Sequence, residues 1–258
     1  MISLRRIGVV MAHELRIIRR DPLPVMVMIA FPIISMAFLK PAFQPALVQA
    51  GHPGANGAEQ VVPGQAVLSG FFVVSLMVFA FFSEYFMATW DRLRASQATS
   101  LEIIIGKGLP RIGMSIAQFV VTFGVGIPLF DLNVRGSVLA MLPLVVALAT
   151  CFVLLGIAVT AVARTAQQAS AFSIVGMVLF GAIGGALVPF NVLPGWARTI
   201  APVTPTYWAM RGFRSIILDG NGFGGIVTPV AVLAGMTLAF AFIAIRWFRF
   251  DQVKSGWM

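Results

Sequence analysis

"WDRLRASQATSLEIIIGKGLP", residues 90–110, is a polar and periodic interruption between two long apolar runs, with basic residues at both ends. An apolar chain gains little from such a segment unless it lies outside the hydrocarbon and serves something in solution. Leu93, Leu101, Ile104 and Ile105 fall on roughly one face at helical spacing, while Arg92, Ser96, Thr99 and Glu102 fall on another. The spacing predicts a helix over 91–102 that lies along a membrane surface, its apolar face docked and its polar face toward water. A short tight turn would suffice if the only task were to reconnect two spans. A surface helix of this kind instead offers a soluble motor something to push.

Composition sets the class. With 59% hydrophobic and 10% charged residues and a mean hydropathy of +0.94, too few polar side chains exist to cover a soluble domain. Crossing the hydrocarbon as a helix takes roughly 20 apolar residues. Six stretches qualify: 23–39, 66–87, 112–130, 138–163, 169–190 and 226–245. No cleavable signal is expected ahead of them, because the first strongly apolar run begins only after about twenty residues and lacks a small-residue cleavage site. The expected fold class is therefore an all-α membrane protein with six transmembrane helices, forming one transmembrane domain over 1–258.

The net charge of +9 is topological. Thirteen Lys and Arg residues flank one side of the spans, and five, Lys40, Arg135, Arg198, Arg211 and Arg214, flank the other. The positive-inside rule then places both termini and residues 91–111 in the cytoplasm, with 41–64 and 191–225 outside. The protein is expected to be a multi-pass cell-membrane protein, with membrane lipids rather than nucleic acid as its charged partner. The segment 41–64, rich in Pro, Gly and Ala, reads as an irregular external loop.

Residues 3–21 are too charged to span, yet Ile7, Val10, Met11, Leu15 and Ile18 recur at helical spacing. An interfacial elbow helix is expected, with its basic residues toward anionic headgroups and with Pro22 and Pro24 ending it. Two readings stay open for it: a generic anchor, or a helix packed beside a cytoplasmic partner.

Chemistry inside the spans is sparse. Cys151 is the single cysteine, and His13 and His52 lie outside the spans, so neither a disulfide nor a clustered metal site is expected. Glu84 is the one ionisable residue within a span, either reaching the interface to pair with Arg92 or Arg94 or lining a substrate path. No pair of carboxylates shares a span for acid and base work, which disfavours a membrane enzyme. Gly106 and Lys107 invite comparison with a phosphate loop, but Leu101 stands where its first glycine belongs and Gly108 where its Ser or Thr belongs. Any ATP must be hydrolysed on another polypeptide.

Phe31, Met36, Phe72, Phe79 and Phe180, together with Glu84, are the candidate substrate path, suited to an amphipathic or lipid-like molecule. Gly181 and Gly185 form a Gly-x-x-x-Gly pair, for packing within the chain or at a subunit interface. Residues 191–220 are too interrupted to cross and read as short external re-entrant helices capping the exit. Pro194, Trp196, Pro205, Tyr207 and Arg211 are singled out there, and its aromatic residues equally suit interfacial anchoring.

"WDRLRASQATSLEIIIGKGLPRIGMSIAQFVV" resembles the segment after the second helix of bacterial type-2 ATP-binding-cassette export permeases, the daunorubicin-resistance-like membrane subunits. "LVPFNVLPGWARTIAPVTPTYWAMRGFRSIILDG" resembles their segment before the last span, in Pro189, Leu193, Pro194, Trp196, Pro205, Tyr207, Arg211 or Arg214, and Gly220. Many such proteins carry a Gly-Thr or Gly-Ser step and a Pro where this chain reads "RASQATS". The resemblance covers essentially the whole chain. It implies a coupling helix over 91–102, with Arg92, Arg94, Ser96, Thr99, Leu101, Glu102, Gly106 and Lys107 as the coupling residues. It implies a half-transporter in the bacterial inner membrane, paired as a homodimer or with a similar permease chain. Below it would dock a cytoplasmic ATPase subunit that holds the ATP and Mg, with no cofactor on this chain. The cargo class would be drugs, lipids or polysaccharides moved outward. An unpowered channel or secondary carrier remains the alternative, although charged rings and an internal repeat are lacking, and an inert scaffold is a third.

Overall fold

Six helices long and apolar enough to cross a membrane form the body of the structure, a computed structural model that describes residues 3–49, 51–87, 89–90 and 95–247. Backbone in hydrocarbon must satisfy its own N–H and C=O groups, which a helix does within one segment. No strand occurs among the described residues.

Helix α1 (Leu4–Arg20) is amphipathic and ends at Asp21, ahead of Pro22. The chain then enters α2 (Leu23–Gln49), α3 (Ala58–Phe86), α4 (Ser100–Leu129), α5 (Met141–Val162) and α6 (Ala166–Ile183). Two short helices, α7 (Gly195–Ile200) and α8 (Pro205–Ile217), lie within the interrupted segment 191–220 and precede α9 (Val227–Trp247). Pro205 stands at the start of α8 and the Thr204 hydroxyl accepts from the Tyr207 N–H, the arrangement expected of a proline and a hydroxyl at a helix start.

Helix α3 is the axis of the bundle. Of its most apolar stretch 72% is buried, against 17% for α2 and for α9, and it touches α2, α4, α5, α6 and α8. Phe71, Val74, Met77 and Phe81 lie in the core along it. Gly156 of α5 faces this row, where an added Cβ would stand 2.7 Å from the Met77 Cβ and 3.0 Å from the Val74 carbonyl oxygen. Small residues let helix backbones meet in this way. Helix α9 packs chiefly on α5.

Three boundaries differ from the sequence expectation. The irregular loop expected over 41–64 is mostly helix, because α2 runs on to Gln49 and α3 starts at Ala58. Pro41 and Pro45 read as breakers, but they stand four apart on one face of α2, and membrane helices tolerate proline where neighbours satisfy the freed carbonyls. The turn itself is built by Gly57 at φ 95°, with Asn56 Oδ1 accepting from the Ala58 N–H at 2.9 Å and Glu59 Oε2 accepting from the Asn56 N–H at 3.1 Å.

The helix that holds the third expected span begins at Ser100, ahead of 112, and of the helix expected over 91–102, whose residues 91–94 lie outside the described ones, the part at 96–99 is not helical. Residues 96–99 are bend or extended, and Thr99 caps α4. The cause is a Thr-x-x-Glu capping box, a stronger local signal than the apolar period across it. Helix α6 stops at Ile183 rather than 190, because Gly185 turns the chain at φ 87°. Gly181 and Gly185 therefore do not share a helix face. Gly181 packs on Leu68 of α3, and Gly184 on Thr206 of α8.

At the end of the bundle away from α1, cations hold the loops by their main-chain carbonyls. Lys40 donates to the Phe130 carbonyl at 2.7 Å. Arg198 donates to those of Leu193 at 2.7 Å and Asn191 at 2.6 Å. The Arg135 side chain reaches the Leu218 carbonyl at 3.4 Å, while the N–H groups of Arg135 and Gly136 donate to the carbonyls of Ile217 and Ile216.

Candidate functional site

Charged groups that a membrane protein buries must find partners, because an isolated ion in that setting is costly. Four of them meet where α1, α3 and α4 join. Lys107 and Arg111 stand four apart and so project from one face of α4. Lys107 Nζ contacts Glu14 Oε1 of α1 at 2.5 Å and Glu84 Oε1 of α3 at 2.7 Å, and donates to the Ala80 carbonyl at 3.1 Å. Arg111 Nη1 contacts Glu14 Oε2 at 2.8 Å and donates to the Lys107 carbonyl at 3.0 Å. Glu84 Oε2 accepts from the Thr89 hydroxyl.

The pairing is complete. An ammonium has three protons to donate, and all three of Lys107 are matched. Each oxygen of Glu14 and Glu84 has a donor, and two carboxylates balance two cations. Glu14 and Lys107 are 1% and 2% exposed, so solvent does little of this work. One tie therefore fastens α1 to two spanning helices at once.

A second tie lies at the start of α1. Glu102 is buried and completes the capping box, its Oε2 accepting from the Thr99 N–H at 2.8 Å. Its Oε1 accepts from the Ser3 N–H at 2.6 Å, and Arg6 Nη1 stands 3.3 Å from Oε2. Arg6 also donates to the Gln97 carbonyl. The same carboxylate thus starts α4 and holds the beginning of α1. Between the two ties Gly106 lets the helices touch: an added Cβ would stand 2.7 Å from the Val10 Cβ and 3.2 Å from the Ile7 carbonyl oxygen. Beside this contact lies a crevice of about 440 Å³, lined by His13, Glu14, Arg16, Glu84 and Lys107 with Val9, Val10 and Ala12.

The coupling residues expected from sequence divide. Arg92 and Arg94 lie outside the described residues, as does Leu93. Ser96 is exposed in the bend, and its hydroxyl accepts from the Ala98 N–H. Thr99, Glu102, Gly106 and Lys107 come together against α1 as described. Two assignments of face are corrected: Glu102, expected toward water, is buried, and Leu101, expected as the docked anchor, is 39% exposed. Ile103 is buried in its place. In α1, Leu15 is likewise exposed, and Ile7 and Glu14 are the buried residues. Glu84 pairs with Lys107, while Arg92 and Arg94, its partners expected from sequence, lie outside the described residues.

Of the six residues expected along a substrate path, Glu84 lines the crevice beside α1 and Phe79 lines a recess with Leu76 and Met114. Met36 is fully buried in the core, whereas Phe79 is exposed. Phe31 meets Phe72 edge-on at 6.1 Å, and Phe180 meets Phe71 at 6.0 Å. At the opposite end Trp196 is exposed, Pro194 precedes α7, and Arg211 lies over the Trp208 ring at 5.3 Å. Among the described residues no group of three His, Cys, Asp or Glu lies close enough to hold a metal.

Sequence reasoning missed Glu14, Arg111 and Ile103. A signal for the first two existed: two cations four apart at the start of an apolar run, and two isolated acids on the same side of the spans.

The description "ABC-2 type transporter" belongs to the family model that matches residues 5–218. ABC transporter G family member 20 of Dictyostelium discoideum is 25% identical over 200 residues, covering 76% of this chain and 27% of that protein. Linearmycin resistance permease protein LnrN of Bacillus subtilis (strain 168) is 29% identical over 154 residues, covering 60% of this chain and 39% of that protein. The matched region thus spans well under half the length of each of these relatives.

Proposed function

This chain belongs to the ABC-2 type transporter family, and from that premise we propose that it is the membrane-spanning permease subunit of an ATP-driven exporter. A separate cytoplasmic ATPase subunit supplies ATP and Mg, and two permease chains, identical or similar, form the path. The cargo is an amphipathic drug, lipid or glycolipid-like molecule. A relative named for linearmycin resistance supports the outward direction.

The observation that carries the coupling part of this reading is the buried four-ion cluster. A partner pressing on the turn at 95–99 moves Glu102 and, with it, the start of α1. The Glu14–Lys107–Arg111–Glu84 cluster links α1 to α3 and α4, so the push arrives at the central helix rather than at a loop. Coupling then works as a lever: the soluble subunit does chemical work, and this chain converts displacement at its cytoplasmic end into rearrangement of α3 against its neighbours.

Two measurements test the reading. The purified chain should hydrolyse no ATP alone and should support substrate-stimulated hydrolysis once combined with its ATP-binding partner. Vanadate-sensitive hydrolysis by the partner-free chain would overturn this, and transport that needs no partner would return the unpowered carrier.

Orientation is tested by labelling. In a Cys151→Ser background, an impermeant thiol reagent applied to intact cells should modify Gly54→Cys, which stands exposed in the α2–α3 turn. It should reach Ser96→Cys only after the membrane is opened. The reverse pattern inverts the topology.

A further inference from the structure

At the end of the bundle opposite the ion cluster, a recess of about 150 Å³ lies between the start of α3, the Gly184–Gly185 turn and α8. Glu59, Gln60, Phe190, Tyr207, Arg211 and Arg214 line it. Its wall is fixed: Gln60 Nε2 donates to the Gly185 carbonyl at 2.8 Å, and the Thr206 hydroxyl of α8 donates to the Phe180 carbonyl at 2.5 Å.

The cations at this end divide by what their donors do. Lys40, Arg135 and Arg198 are spent on main-chain carbonyls. Arg211 and Arg214 are not. Arg211 lies over the Trp208 ring, and neither guanidinium reaches a carboxylate within ion-pair distance among the described residues. They stand three apart on α8, so they occupy neighbouring positions on one face. Glu59 is buried, with Oε2 on the Asn56 N–H, and in the first turn of α3 its charge answers the helix dipole. The recess is left with a net positive charge and two donor forks.

We propose that this recess binds an anionic oxygen group, a phosphate or a carboxylate, carried by an amphiphile. Guanidinium pairs recognise such groups through parallel N–H donors. The recess is large enough for the charged group and too small for a whole amphiphile. The apolar part of the ligand runs out past Phe190 and Tyr207, whose rings stand 5.2 Å apart. In the orientation proposed above, on which this placement rests, the site faces the outer leaflet. It there holds either a lipid headgroup or the charged end of departing cargo.

The test uses the full chain in lipid nanodiscs, with bound lipid read by native mass spectrometry. The wild type should retain phosphatidylglycerol over phosphatidylcholine, and Arg211→Gln/Arg214→Gln should lower that retention about tenfold, as expected for the loss of charge-assisted bonds worth about 1.4 kcal/mol or more. Inorganic phosphate added at rising concentration tests the need for an amphiphile: the lipid should persist, and its displacement by the free oxyanion would overturn that part of the proposal. Wild-type retention by the double variant at an unchanged thermal midpoint overturns the proposal. Arg214→Gln alone guards against misfolding of the double variant, and wild-type retention there is equally fatal. No ATPase partner enters the assay, so its failure leaves the exporter reading standing, and failure of coupled hydrolysis leaves this site standing.

Discussion

Lys107→Met is expected to destabilise the protein by about 3–5 kcal/mol, the cost of removing one partner from a buried ion pair. The substitution leaves Arg111 as the one buried cation facing Glu14 and Glu84, and the Glu84 Oε1 and Ala80 carbonyl lose their shared donor. A steep fall in the detergent-solubilised melting point, read by fluorescence-detected gel filtration, checks it. Adding Glu84→Gln should restore most of the loss, because the Glu14–Arg111 contact at 2.8 Å then stands as a neutral pair. A wild-type melting point for the single variant would mean that the cluster does not hold these helices together.

Gly106→Leu should separate coupling from folding. A Cβ at this position already meets Val10 and the Ile7 carbonyl, so a leucine pushes α1 away from α4 while the spans keep their contacts. Overpacking of this kind costs about 1–3 kcal/mol. With α1 displaced, both ties of the lever are stretched, and substrate-stimulated ATP hydrolysis in vesicles with the partner present should fall more than about tenfold, the scale of a 1.4 kcal/mol penalty. Gly106→Ala should fall between the two. Normal stimulation in Gly106→Leu, with the chain inserted and folded, would show that contact between α1 and α4 carries no motion.

The class of the molecule was legible because hydrocarbon imposes it: runs of apolar residues near 20 long admit few structures. What resisted reading was local. In "LEIIIGK" the apolar spacing favours Leu101, Ile104 and Ile105, while Ile103 shares its side of the helix with Gly106 and Lys107; that side is the one that docks, because Gly106 meets α1 and Lys107 is ion-paired, and Ile103 is buried with them. Thr99 and Glu102 fit the polar face of a longer helix as well as they fit a capping box, and the structure uses them as the box. Pro41 and Pro45 were read by the rule for water, where a freed carbonyl has an easy alternative to the helix.

The site itself was half visible. In sequence Lys107 resembles part of a nucleotide motif and a coupling residue, but its partner Glu14 lies 93 residues away, and no periodicity links positions so distant. Glu84 stands out as ionisable within a span, and the nearest cations after it in sequence are Arg92 and Arg94. Lys107, on the next spanning helix, reaches it, a contact that spacing along the chain does not signal.

The carbonyl tethers at the far end carry a consequence for mutational freedom. Phe130, Leu218, Leu193 and Asn191 accept through the main chain, and a main-chain carbonyl survives any substitution. Only the donors, Lys40, Arg135 and Arg198, are irreplaceable in these contacts. The acceptor positions are therefore free to drift in side chain while the loops stay fastened. That end of the molecule can change the surface it presents without first having to rebuild its own scaffold, whereas the ion pairs at the other end, which join side chain to side chain, can change only by compensated pairs.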